Sequence, residues 1–144
     1  MERSDWILIA AGLTEGAPLT PVQLQKSLFL IRELVPTAHE EAEFYSFEPY
    51  NYGPFCAQIY SDAEQLGSEG LLTITFSPQR RWRQYGATSA GRERARQLAA
   101  DLPQEEREYI GKLLEWVRGV SFSQLIRVIY ARWPAYRANS IFDG

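Results

Sequence analysis

The stretch Tyr50-Asn51-Tyr52-Gly53-Pro54-Phe55 constrains this chain more than any other, because glycine followed by proline forces a sharp reversal of the backbone. Glycine supplies a conformation that other residues resist, and proline suits the first position of a helix, where its missing N–H costs nothing. A helix is therefore expected from Pro54, with Phe55, Ile59, Ala63 and Leu66 spaced four, four and three apart as one apolar stripe. Such a stripe reads two ways. It is the buried side of a core helix, or the inner side of a helix that offers its outer face to a ligand.

The elements around it follow from local signals. A first helix is expected over Ser4 to Thr14, with Trp6, Ile9, Ala10 and Leu13 inward, ended by Gly16-Ala17-Pro18. Thr20-Pro21-Val22-Gln23 has the form of a capping box, with Leu19 and Leu24 as its staple, and opens a second helix that stops at Pro36. The breadth of that helix's apolar surface (Leu24, Leu28, Phe29, Leu30, Ile31, Leu34, Val35) makes it central to the core. His39 to Glu43 reads as an acidic connection and Phe44 to Phe47 as a short strand.

After the third helix, Leu71 to Phe76 alternates, Ser77 to Arg81 is a loop, and Trp82 to Ala87 returns, a β-hairpin with a basic tip. Three more helices are expected: about Ala90 to Leu102, one from Pro103 to Gly119, and one opened by a second capping box, Ser121-Phe122-Ser123-Gln124, and ended at Trp133-Pro134. The last ten residues read as a tail.

At 144 residues, 45% hydrophobic and 23% charged, one globular domain is expected. No apolar run is long enough to span a membrane, and Met1-Glu2-Arg3-Ser4-Asp5 lacks the basic and apolar regions of a signal peptide, so the expected compartment is the cytoplasm. A single cysteine excludes a disulfide framework. Residues 1–79 carry three cations against eleven carboxylates, a balance of −8, whereas residues 80–144 carry twelve cations against seven carboxylates, a balance of +5. That asymmetry reads either as a polarised surface with a partner at one end or as solvated faces that happen to segregate.

Enzyme chemistry finds little support. His39 stands beside carboxylates with no second histidine, Cys56 lies in the acidic half with no visible activating base, and no phosphate-binding glycine loop is present. No catalytic residue, metal or cofactor is expected. Binding fares better. Arg80, Arg81 and Arg83 on the hairpin, with Trp82 and Tyr85 between and beside them, suit nucleic-acid phosphates. Arg92, Arg94 and Arg96 fit the solvated face of an ordinary helix. The third helix would present Gln58, Ser61, Asp62 and Gln65, with Glu64 nearby and no Lys or Arg. Gln58 and Ser61 could reach base edges, but Asp62 and Glu64 repel phosphates, so this face suits a protein partner better.

Helix, helix, short strand, helix, hairpin is the order expected of a winged helix-turn-helix, here with further helices after it. Tyr85-Gly86-Ala87-Thr88-Ser89-Ala90-Gly91-Arg92-Glu93-Arg94-Ala95 resembles the segment that follows the wing in many bacterial winged-helix proteins, with Ala87 in place of leucine. Three further landmarks are Leu24-Gln25-Lys26-Ser27-Leu28-Phe29-Leu30, Asn51-Tyr52-Gly53-Pro54-Phe55 with Ile59-Tyr60, and Val128-Ile129-Tyr130-Ala131-Arg132-Trp133-Pro134-Ala135-Tyr136. Together they resemble the Panacea (SocA-like) antitoxin domain and related YwgA-like proteins over most of residues 20–137, with Trp133 where the family has tyrosine and an extended helical segment before it. The resemblance implies a non-enzymatic domain that acts by protein interaction, on a toxin or a defence-system component.

The expectation is thus a mainly α domain with a small β-hairpin: a winged helix-turn-helix core over about residues 1–88, C-terminal helices over about 89–137 and a tail over 138–144. The expected partner is a protein, met by Gln58, Asp62, Gln65 and Tyr52. The alternative is double-stranded DNA held by Arg80, Arg81, Arg83, Gln58 and Ser61. A homodimer contact could use Trp133, Tyr130 and Phe142, with core packing the expected use of at least the first two.

Overall fold

Helix α2 (Pro21–Leu34) runs through the middle of the computed structural model, which describes every residue except Pro78, Arg80, Asp143 and Gly144, and Ser77 by its backbone alone. Its start is the expected capping box: Thr20 Oγ1 accepts the Gln23 N–H at 3.1 Å, and Gln23 Oε1 accepts the Thr20 N–H at 3.0 Å. Every residue from Leu24 to Ile31 is buried, the signature of a helix surrounded on all sides. Helix α1 (Arg3–Gly12), buried from Trp6 to Gly12, packs against it, as does α6 (Gln104–Gly119) through a stripe of Ile110, Leu113, Leu114 and Val117.

Between α2 and the next long helix lie a short α3 (Pro36–His39) and an antiparallel hairpin, β1 (Glu48–Tyr50) with β2 (Gly53–Phe55). Helix α4 (Gln58–Ser68) follows, then the second hairpin, β3 (Leu72–Ser77) with β4 (Trp82–Ala87). Leu19 extends this hairpin by one residue, exchanging two 2.8 Å backbone hydrogen bonds with Tyr85. Helix α5 (Ser89–Ala100), capped by Thr88, turns back onto α1. Its Gly91 sits so close to the chain that a Cβ there would overlap the Leu71 carbonyl oxygen. Helix α7 (Phe122–Arg132) starts at the second expected capping box, Ser121 with Gln124, and a 3₁₀ turn covers Pro134–Arg137.

The fold is mainly helical, with seven α-helices and two small antiparallel hairpins among the described residues. Among those residues no helix is long and apolar enough to cross a membrane.

Four expectations are corrected. Gly53-Pro54 does not open a helix. Gly53, at φ +95°, begins β2, and α4 starts only at Gln58, so Phe55 leaves the helical stripe and stacks on Tyr50 at 4.9 Å. Phe44 to Phe47 is not a strand: Phe44 and Tyr45 are consecutive and both buried, against Trp6 and α4 respectively, which a pleated strand with alternating sides does not permit. The acidic connection expected over His39 to Glu43 is not wholly a loop, since its first residue, His39, ends α3. Within the expected tail, Asn139 to Phe142 are docked, Asp143 and Gly144 lying outside the described residues. Ile141 N–H bonds the Asn51 carbonyl at 3.0 Å, Asn139 Nδ2 the Pro49 carbonyl at 3.3 Å, and Tyr130 OH donates to Ser140 Oγ at 2.6 Å.

Candidate functional site

The outer face of α4 is where the sequence places partner contacts, and the structure divides those residues. Gln58, Ser61 and Gln65 are exposed; Gln58 Oε1 accepts from Cys56 Sγ at 3.2 Å, and Gln65 Nε2 donates to Glu69 at 3.3 Å. Asp62 is turned inward instead. Arg3 Nε lies 2.9 Å from its carboxylate, and the Tyr45 hydroxyl donates to the same oxygen at 2.7 Å. Burial first, then the bond to Asp62, pushes the Tyr45 hydroxyl well above the ordinary tyrosine range. Asp62 is thus a fastener between α4, α1 and the loop before β1, not a free contact.

On the second hairpin, Arg83 pairs with Glu64 of α4 at 2.7 Å, both side chains being more than half exposed. Arg81 is exposed at the tip with φ +62°, in the left-handed region. Arg80 lies outside the described residues. The basic hairpin and the acidic helix therefore partly neutralise each other.

Three stretches far apart in sequence meet beneath the first hairpin. Gln25 clamps the Cys56 backbone, donating to its carbonyl and accepting from its N–H, each at 2.9 Å. Lys26 Nζ donates to the Pro54 carbonyl at 2.9 Å, and burial pushes its pKa down to about 7. A Cβ on Gly53 would stand 3.2 Å from the Tyr130 ring, so the tight approach of α7 suits glycine there twice over. Phe29 of α2 meets Trp133 and Tyr136 edge-on at 5.0 and 4.9 Å. Tyr130 is thus buried and Trp133 half-buried against the core, and Phe142 packs beside Tyr130 and Phe122. The Ser27 hydroxyl is buried with no hydrogen-bond partner.

His39 and Cys56 are held by different neighbours. His39 is exposed at the end of α3, its Nδ1 3.1 Å from the Arg32 carbonyl oxygen, whereas Cys56 is buried with Gln25 and Gln58. Among the described residues no group of three or more His, Cys, Asp or Glu side chains is placed to hold a metal ion.

A largely apolar groove of about 650 Å³ lies beside Tyr52, between the start of α2, the turn of the first hairpin, the second hairpin and the α6–α7 corner. Val22, Val120 and Leu125 line it, and three aromatic side chains rim it: Tyr52, Trp82 and Phe122, exposed by 37, 44 and 42%. Tyr52 and Phe122 meet edge to face at 5.1 Å. Among the described residues no charged side chain lines the groove, and its polar members Thr20 and Gln23 already bond each other's backbone. It can bury apolar surface and orient aromatic contacts.

Of this rim, sequence reasoning named Tyr52 as a partner contact. Trp82 stood only as an aromatic among arginines, and Phe122 as a filler of the capping box. The available signal was that Phe122 falls off the buried Leu125, Ile126, Ile129 stripe of its helix. A scan against protein-family models finds no match for the chain, and a search of curated proteins finds none in sequence.

Proposed function

We propose that this protein is a binding module rather than an enzyme, and that it holds a protein partner in the groove beside Tyr52. The observation that carries this reading is the convergence of Tyr52, Trp82 and Phe122, from three separate elements, on one apolar groove. Exposed aromatics around an apolar pocket are the residues that dominate protein interfaces.

The order of elements supports a winged-helix type of core: α1, the Leu19 bridge as a third strand, α2, α4, then the hairpin β3–β4, with the first hairpin inserted between the two middle helices. The resemblance to the Panacea antitoxin domain points the same way. The three landmark segments that carry it are the ones joined through Gln25, Lys26, Gly53 and Tyr130. On that resemblance, the partner is a toxin or a defence-system component.

Coexpression with the products of neighbouring genes tests the proposal. A stoichiometric complex is expected, and Trp82→Ala or Phe122→Ala should each weaken it by about 1–3 kcal/mol with the melting temperature of the free protein little changed. Failure to form any such complex, or a complex indifferent to Tyr52, Trp82 and Phe122, would overturn it.

A further inference from the structure

Helices α6 and α7 leave a groove of about 290 Å³ between them, on a face that shares no lining residue with the Tyr52 groove. Leu30 and Leu113 are its buried members, while Tyr109, Trp116 and Val128 line it at 43, 36 and 43% exposure. Single exposed apolar side chains are ordinary on a protein surface, but three gathered around one concavity mark a contact surface.

The groove also has a sign. Among the described residues the charged side chains that line it are Lys112 on α6 and Arg132 on α7, and both are positive. The ion pairs among those residues are Arg3–Asp62, Arg32–Glu33, Arg83–Glu64 and Arg96–Glu93, so neither cation is neutralised there. The Arg132 guanidinium lies 5.3 Å from the centre of the Trp133 ring, a contact that steadies the arginine without cancelling its charge. Acidic side chains border the groove and do not line it. Glu108 and Glu115 are exposed on α6, four residues before and three after Lys112. Helical periodicity sets both on the side of Lys112 away from Tyr109 and Trp116, and Glu108 accepts from Gln104 Nε2 at 3.0 Å. Glu105 lies about two turns from Lys112, at the start of the helix. The surface is therefore cationic between the two helices and acidic over the outer flank of α6.

We infer that this groove seats a short acidic segment of a protein partner, with bulky apolar side chains laid between α6 and α7 and carboxylates set against Lys112 and Arg132. Charge selects the sign of the occupant. A basic segment would meet two like charges, and an uncharged one would cover both cations without pairing them; each is costly. Size selects the class. A cavity of about 290 Å³ falls just below the range of pockets that engulf a small molecule, about 300–1,000 Å³, whereas the anchoring side chains of a docked peptide need no more. Glu108 and Glu115 set the limit of the acidic stretch, since carboxylates that extended past α6 would meet them. The segment thus carries its acids close beside its apolar anchors rather than in a long run.

Selection of a phage-displayed random peptide library on the full chain, followed by fluorescence anisotropy of the enriched peptides, tests this occupant. Enriched peptides are expected to hold Asp or Glu within a few residues of Leu, Phe or Trp, and to bind more weakly as salt is raised. Lys112→Glu with Arg132→Glu should weaken them by about tenfold or more, and so should Val128→Asp. All three positions are exposed, so the thermal melts of these variants should match the wild type. Phe122→Ala, on the other groove, should leave the affinity unchanged, so the two grooves are tested separately. Three results would overturn the inference. One is a library that yields no peptide weakened by these substitutions. Another is a set of peptides that depends on Val128 and carries no acidic bias. The third is decanoate, a plain alkyl carboxylate, binding in a Val128-dependent manner where no peptide does.

Discussion

Lys26 leaves water to reach the Pro54 carbonyl, and among the described residues no carboxylate is bonded to it. Its pKa falls from 10.5 to about 7 through burial of the charged form. The unfolded chain therefore holds this proton over a range where the folded chain has released it. Stability consequently rises with pH from about 7 towards 10.5 and is lowest below that window, where the interior must carry the charge. At about 1.4 kcal/mol per pH unit, the full penalty is several kcal/mol. Lys26→Met removes the charge and keeps an unbranched apolar side chain, leaving the Pro54 carbonyl unpaired at about 1–3 kcal/mol. The variant is expected to be more stable than the wild type at about pH 6, with the advantage shrinking towards zero at about pH 9. Denaturant titrations at the two pH values measure this directly. A difference that does not change with pH would show that the buried ammonium is not what Lys26 contributes.

The hairpin β1–β2 is the element whose existence depends most on its surroundings. Three residues a side do not make a stable hairpin in water, and Pro49 and Pro54, opposite each other, turn their carbonyls out to Asn139 and Lys26 and add no hydrogen bond to the ladder. Its polar backbone is satisfied from outside by Gln25 and Lys26 on α2 and by Asn139 to Ile141 at the end of the chain. Gln25→Leu should therefore cost about 1–3 kcal/mol, since it strands the N–H of buried Cys56 and leaves its carbonyl only the Ile59 N–H at 3.3 Å. The loss should appear in urea unfolding, and hydrogen exchange should rise over residues 48–56 before it rises in α1 or α6. This dependence also explains which elements were legible in the sequence. The capping boxes at Thr20 and Ser121 are closed by residues three positions away, so spacing alone reveals them. The stripes of α1, α2, α6 and α7 are local in the same sense. The hairpin is fixed by partners 28 to 90 residues distant, and Gly53-Pro54 followed by a helical stripe has the pattern of a helix start when those partners are out of view. Asp62 is a similar case, outward by helical periodicity but drawn in by Arg3, 59 residues away. The Tyr52 groove is assembled by α2, both hairpins and α7, so its aromatics were visible one by one and their meeting was not.

At the scale of the molecule, the acidic first half and basic second half are stitched together at one point that bears on DNA. Arg83 spends its charge on Glu64, and Glu69 is also exposed at the end of the same helix. A duplex approaching the second hairpin would meet those carboxylates as well as the arginines, and phosphate contacts are what dominate the affinity of such complexes. Only weak, salt-sensitive association with duplex DNA is therefore expected in fluorescence anisotropy titrations. Glu64→Gln should strengthen that association by releasing Arg83, steepening the salt dependence by about one phosphate contact. Arg83→Ala should then abolish the gain in the Glu64→Gln background while changing little on its own, since the paired arginine has no charge to spare. Tight, sequence-selective binding by the wild type that collapses on Arg81→Ala would reverse the ranking and make the second hairpin, not the Tyr52 groove, the contact surface that matters.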